Sequence, residues 1–96
     1  MKVGHVPLIP CHCPGDPGAA LVAARIQAMA ERGTPLRAVM LDRLGPTVWH
    51  QSPAEASAVL EELEETARLW LLCKPAPIAL TPAQIDELRR QFNACW

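Results

Sequence analysis

Tyrosine is absent from this sequence, and Phe92 is the only phenylalanine. With Trp49, Trp70 and Trp96 as the remaining aromatics, any core must be mostly aliphatic. A chain of 96 residues is enough for one small domain, expected over residues 1–96. Such a domain buries only about 60–65% of its unfolded surface. An excess of positive charge is also missing, with 9 basic against 10 acidic residues and a net charge of −1. That balance argues against general nucleic-acid binding, which needs a basic face to displace counterions from phosphates. It argues equally against a polybasic membrane anchor.

Long apolar runs are missing too, and none approaches the ~20 residues of a membrane span. Met1 to Pro10 has one lysine and two prolines, and lacks the apolar region and cleavage pattern of a signal peptide. The expected location is therefore cytoplasmic. In that compartment the four cysteines are thiols or metal ligands rather than disulfides. Serine is scarce: Ser52 and Ser57 are the only two, and neither stands in a G-x-S-x-G motif. The loop "PCHCPGDPG" carries neither G-K-[ST] nor G-x-G-x-x-G, so no nucleotide fingerprint is present. With no complete catalytic constellation, the sequence leans against an enzyme.

What is present is 50% apolar residues and a repeated helix-start grammar. Asp16-Pro17, Ser52-Pro53 and Thr81-Pro82 each join a capping side chain to a proline whose missing N–H costs nothing at a helix start. Ser52-Pro-Ala-Glu55 and Thr81-Pro-Ala-Gln84 also fit the capping box. The spacing predicts a helix over about Pro17 to Arg32, with Leu21, Val22, Ile26 and Met29 inward. A second is predicted from Pro53 to Leu72 or Cys73, with Ala56, Leu60, Leu63, Ala67 and Trp70 or Leu71 inward. A third is predicted from Pro82 to Cys95, with Ile85, Leu88, Phe92 and Trp96 on one face.

Leu36 to Leu41 and "TVWHQ" (47–51) read as strands either side of a Leu44-Gly45-Pro46 turn. "KVGHVPLI" has strand composition, confined by Pro7 to a sheet edge. The expected fold is α+β, a single small domain in the order β-α-β-β-α-α with a two- or three-stranded sheet. If its first two strands are parallel neighbours, the first helix is their right-handed crossover. The alternative is a mainly α fold of three helices and one hairpin. Residues 1–16 form a proline-rich segment, and residues 74–80 an extended linker before the last helix.

Three features are candidate sites. Cys11 and Cys13 flank His12 before the first helix. In extended chain the two thiols share a side, roughly 6.5–7 Å apart along the backbone, and His12 faces the other way. They are candidate metal ligands, with zinc the conceivable ion and His5, His50, Cys73 or Cys95 completing the set. Beside a helix N-terminus they could instead be reactive thiols. As small apolar fillers of a rigid turn they need neither role. The second feature is the acidic face of helix two, with Glu61, Glu62 and Glu65; Glu64 can pair with Arg68. Its bland reading is a solvated face. The third is the aromatic end of helix three, where Phe92 and Trp96 stand beside Arg89, and Asp86 can pair with Arg90. Aromatic with arginine is hot-spot composition, though core packing explains it as well.

Arg68 to Gln91, "RLWLLCKPAPIALTPAQIDELRRQ", resembles the strand–"LTP"–helix half of small docking domains in peptide-synthetase assembly lines. Helix two stands where that family has a strand, and the resemblance assigns no residue a role. The expected function is a non-catalytic interaction or regulatory module: an accessory subunit, adaptor or inhibitor. It would bind a protein partner, or a second copy, through Glu61, Glu62, Glu65, Arg89, Phe92 and Trp96. The competing expectation is a metal- or thiol-redox protein built on Cys11 and Cys13.

Overall fold

The computed structural model describes residues 3–10 and 15–95. Cys11, His12, Cys13 and Trp96 lie outside the described residues, so the thiol pair and the terminal tryptophan receive no structural account. The elements are β1 (Leu8–Ile9), α1 (Asp16–Glu31), β2 (Ala38–Leu41), β3 (Gly45–Val48), α2 (Pro53–Leu72) and α3 (Pro82–Phe92). The β-α-β-β-α-α order stands, with three helices and a three-stranded mixed sheet in the order β1-β2-β3. β1 runs parallel to β2, with Leu8 beside Met40 and Ile9 beside Leu41, and α1 is the crossover between them. β3 is antiparallel to β2, from Ala38 opposite Val48 to Leu41 opposite Gly45.

Side chains alternate across β2, and each face gathers its own core. On one face Ile9, Leu36 and Val39 pack with Val22, Ile26 and Met29 of α1, and with Leu41 and Trp49. On the other, Val3, Ala38 and Val59 pack with Val6, Val48 and Leu63. The sheet therefore lies between α1 and α2, which buries Ala38 and Val39 on opposite faces of its central strand and leaves Met40 and Leu41 partly covered.

Several local readings need correction. Asp16 does not cap α1: it is the first helical residue, and Gly15 holds the cap position at φ 131 without a side-chain hydrogen bond. That backbone conformation is open to glycine and strained for most other residues. The Asp16 carboxylate instead sits in the first turn, near the positive end of the helix. The second hairpin strand is Gly45–Val48 rather than residues 47–51, because Gly45 and Pro46 already pair with Leu41 and Met40. Pro46 is tolerated there because β3 is an edge strand. The turn lies at Asp42-Arg43-Leu44, with Arg43 in the left-handed region at φ 64. α3 stops at Phe92, not Cys95: Asn93 adopts a left-handed φ of 48 and its N–H donates to the Arg89 carbonyl.

The inward face of α2 is also displaced. Val59, 1% exposed, is its buried residue, while Leu60, Ala67, Trp70 and Leu71 are exposed. Leu63, on the predicted stripe, does pack with Val59, and at 100° per residue Val59 lies about 40° from it on the side away from Leu60 and Ala67, so the inward face is shifted to that side of the stripe.

Candidate functional site

α2 begins with a small polar cluster. The Ser52 hydroxyl donates to Glu55 Oε2 at 3.0 Å and accepts from the Glu55 N–H at 3.3 Å. His50 Nδ1 lies 3.0 Å from the same carboxylate oxygen. Ser52 thus caps α2 through its hydroxyl, and the Glu55 side chain bonds that hydroxyl in return. At α3 the box is complete: Thr81 Oγ1 accepts from the Gln84 N–H, and Gln84 Oε1 accepts from the Thr81 N–H at 2.9 Å.

The Ser52 hydroxyl, followed by His50, holds the Glu55 carboxyl below its ordinary pKa of 4.5. Glu55 is thus ionised at neutral pH and unsuited to donate a proton there. Its contribution to stability is present above that ordinary value and is lost as pH falls through the lower folded value. An NMR titration of the Glu55 carboxyl should place its midpoint below 4.5, its ordinary value. Ser52→Ala should raise the midpoint more than His50→Ala does. Equal midpoints in the wild type and Ser52→Ala would refute this account.

The residues expected to bind a partner are scattered differently from their sequence grouping. Glu62 and Arg89, assigned to two separate surfaces, line one cleft of about 380 Å³ with His5, Thr66 and Ile85. Glu61 is exposed, away from that lining. Glu65 accepts two hydrogen bonds from Arg68, at 2.8 and 2.6 Å, which lower its carboxyl pKa. The expected pairing of Arg68 with Glu64 is thus replaced by the i, i+3 partner. Asp86 pairs with Arg89 at 3.0 Å, while Arg90 Nε donates to the Asp86 backbone carbonyl. Phe92 is exposed at the end of α3.

Of the proposed auxiliary metal ligands, His5 lines the cleft, His50 is bound to Glu55, and Cys73 and Cys95 are exposed free thiols. Among the described residues no group of three His, Cys, Asp or Glu stands close enough to hold a metal ion. None of their helices is long and apolar enough to cross a membrane.

A second hollow is larger and almost wholly apolar. It has a volume of about 570 Å³ and runs between the sheet and the flank of α2. Met40 and Pro46, opposite one another in β2 and β3, form its floor, and Leu60, Leu63, Ala67 and Leu71 its wall, with Glu64 and Arg68 also lining it. Sequence reasoning put Leu60, Ala67 and Leu71 into the core, and so missed that they border an open groove.

Comparison with known proteins gives a family for this chain. The sequence profile of the class II aldolase and adducin N-terminal domain matches residues 1–71. The chain belongs to that family. It is 50% identical over 101 aligned residues to a 3-oxo-tetronate 4-phosphate decarboxylase of Cupriavidus necator, covering 100% of this chain and 44% of that protein. A protein of the same name from Escherichia coli K12 is 41% identical over 90 residues, covering 93% of this chain and 40% of the relative. The chain thus spans less than half the length of the curated relatives it matches. No solved structure matches it significantly.

Membership in this family, with matched relatives named as decarboxylases, overturns the expectation of a non-catalytic interaction or regulatory module. The inference had rested on finding no complete catalytic set. A chain that spans only part of its relatives does not have to carry the whole set.

Proposed function

We propose that this chain forms part of a decarboxylase acting on a phosphorylated 3-oxo sugar acid, the chemistry for which its relatives are named. The observation that carries the reading is the 50% identity extending over the whole chain. A 3-oxo acid loses carbon dioxide when the bond to its carboxylate breaks and the electron pair moves onto the 3-oxo oxygen. The resulting enolate is then protonated. The barrier falls when a positive group or hydrogen-bond donor is fixed at that oxygen. On this reading the chain supplies the sheet with its two flanking helices, while the remaining region of the family's domain completes the reacting set.

The test is a chimera in which this chain replaces the matched stretch of the Cupriavidus necator protein. It is expected to release carbon dioxide from 3-oxo-tetronate 4-phosphate. A folded chimera of native size with no turnover would overturn the reading.

A further inference from the structure

The turn that joins β2 to β3 is tied down at both ends. The Asp42 N–H donates to the Ile9 carbonyl of β1 at 2.9 Å, and the Leu44 N–H to the Leu41 carbonyl at 3.1 Å. Between them Arg43 takes up its left-handed backbone at φ 64. A long side chain is strained in that region, where glycine or asparagine is at ease. Strain of this kind persists only where the surrounding structure enforces it, and it gathers at ligand-binding sites. The Arg43 side chain is 82% exposed. Among the described residues its counter-charge is Asp42 at 4.0 Å, too far for a hydrogen bond. Topology gives the turn its place. β1 and β2 are parallel, and the turn stands beyond the carboxyl end of β2, level with that of β1. α1, the crossover between the two strands, begins at the same end. In sheets with parallel strands, ligands bind beyond these carboxyl ends.

We infer that Arg43 is a substrate-binding residue that receives the phosphate group of the phosphorylated 3-oxo sugar acid. The inference rests on the decarboxylase reading for its ligand. That substrate carries two anions, a carboxylate and a phosphate. The carboxylate leaves as neutral carbon dioxide, so a guanidinium paired with it would hold the charge that has to be given up. The enolate oxygen needs a donor fixed out of water, which an arginine as exposed as this one does not provide. The phosphate keeps its charge throughout, and a guanidinium meets it with two parallel N–H donors. A contact to a group that the reaction leaves unchanged binds substrate and transition state alike. It therefore acts on KM rather than on kcat.

The test compares Arg43→Asn and Arg43→Lys in the chimera that carries this chain within the Cupriavidus necator protein. Arg43→Asn is expected to raise KM for 3-oxo-tetronate 4-phosphate by about tenfold to a hundredfold, the loss of a charged hydrogen bond. Its kcat should change by less than about threefold. Arg43→Lys keeps the charge but loses the fork, and its KM should fall between the two. Asparagine also suits a left-handed backbone, so Arg43→Asn should melt at or above the temperature of its parent. Binding is read separately with inorganic phosphate. Phosphate is expected to raise the melting temperature of the chimera, and Arg43→Asn to remove most of that rise. An unchanged KM in Arg43→Asn, a fall in kcat at constant KM, or an equal response to phosphate in parent and variant would overturn the inference. The melting experiment needs no turnover. An inactive, folded chimera whose response to phosphate depends on Arg43 would sink the decarboxylase reading and leave the phosphate site standing.

Discussion

Val59→Asp is expected to detach α2 from the sheet and unfold much of the domain. Val59 is 1% exposed and touches the cluster formed by Val3 and Ala38. No buried polar or charged side chain occurs among the described residues, so nothing in that cluster can receive a carboxylate. An uncompensated charge in a protein interior costs about 3–5 kcal/mol. A domain of this length has roughly 5–14 kcal/mol of stability in total. Val59→Ala should cost less, about 2 kcal/mol for two lost methyl groups and the residual cavity. Thermal unfolding followed by circular dichroism separates the cases: Val59→Ala lowers the midpoint by roughly 8–16 °C, and Val59→Asp lowers it further or removes the transition. Leu71→Asp on the same helix is the control. Leu71 is 76% exposed, and the isolated chain should melt as the wild type does. A wild-type melting curve for Val59→Asp would show that α2 does not seat through this residue.

Ala38→Leu should destabilise the domain from the opposite direction, by overfilling. Ala38 is fully buried at the centre of the sheet, beside Val3 and Val59 and paired with Val48 of β3. Adding three carbons there pushes α2 outward, at about 1–3 kcal/mol. The informative measurement is the double variant Ala38→Leu/Val59→Ala. The space vacated at position 59 should receive part of the added side chain. The double variant is then expected to melt above the value obtained by adding the two single losses. Strict additivity would show that positions 38 and 59 do not share a space, contrary to the packing described.

Much of the fold is legible in the sequence because it is set locally. Thr81 and Gln84 meet within a single helical turn, so their capping box follows from residue type and spacing alone. Ser52-Pro53 fixes the start of α2 in the same way, although Glu55 answers to the hydroxyl of Ser52 and to His50 as well. The pairing of β1 with β2 follows from short apolar runs on either side of a helix of crossover length. The misread Asp16 shows the limit of the same reasoning. A capping residue next to proline leaves the cap one position uncertain, and Gly15 took it because only glycine accepts φ 131 comfortably.

The candidate site was less legible. Glu62 and Arg89 lie in different helices, and nothing in their spacing indicates that they line one cleft with His5. Exposed leucines on α2 read as core because periodicity registers an apolar side chain without registering what covers it. The absence of a catalytic motif pointed away from an enzyme, and the decarboxylase names of the matched relatives, of which this chain covers 44% in the Cupriavidus necator case, overturn that expectation.

By itself, the sequence determined where α2 and α3 start and the order β-α-β-β-α-α. Those features depend on interactions within a few residues of one another, or on apolar runs too short to be anything but strands. Only the tertiary structure decided that α2 meets the sheet through Val59 rather than Leu60, and that Met40, Pro46 and Leu71 border an open groove. α2 closes with four consecutive apolar residues, Leu69 to Leu72, so its hydrophobic pattern names no single inward face there. The choice was made by the sheet, where Ala38 leaves room for Val59 between Val3 and Leu63.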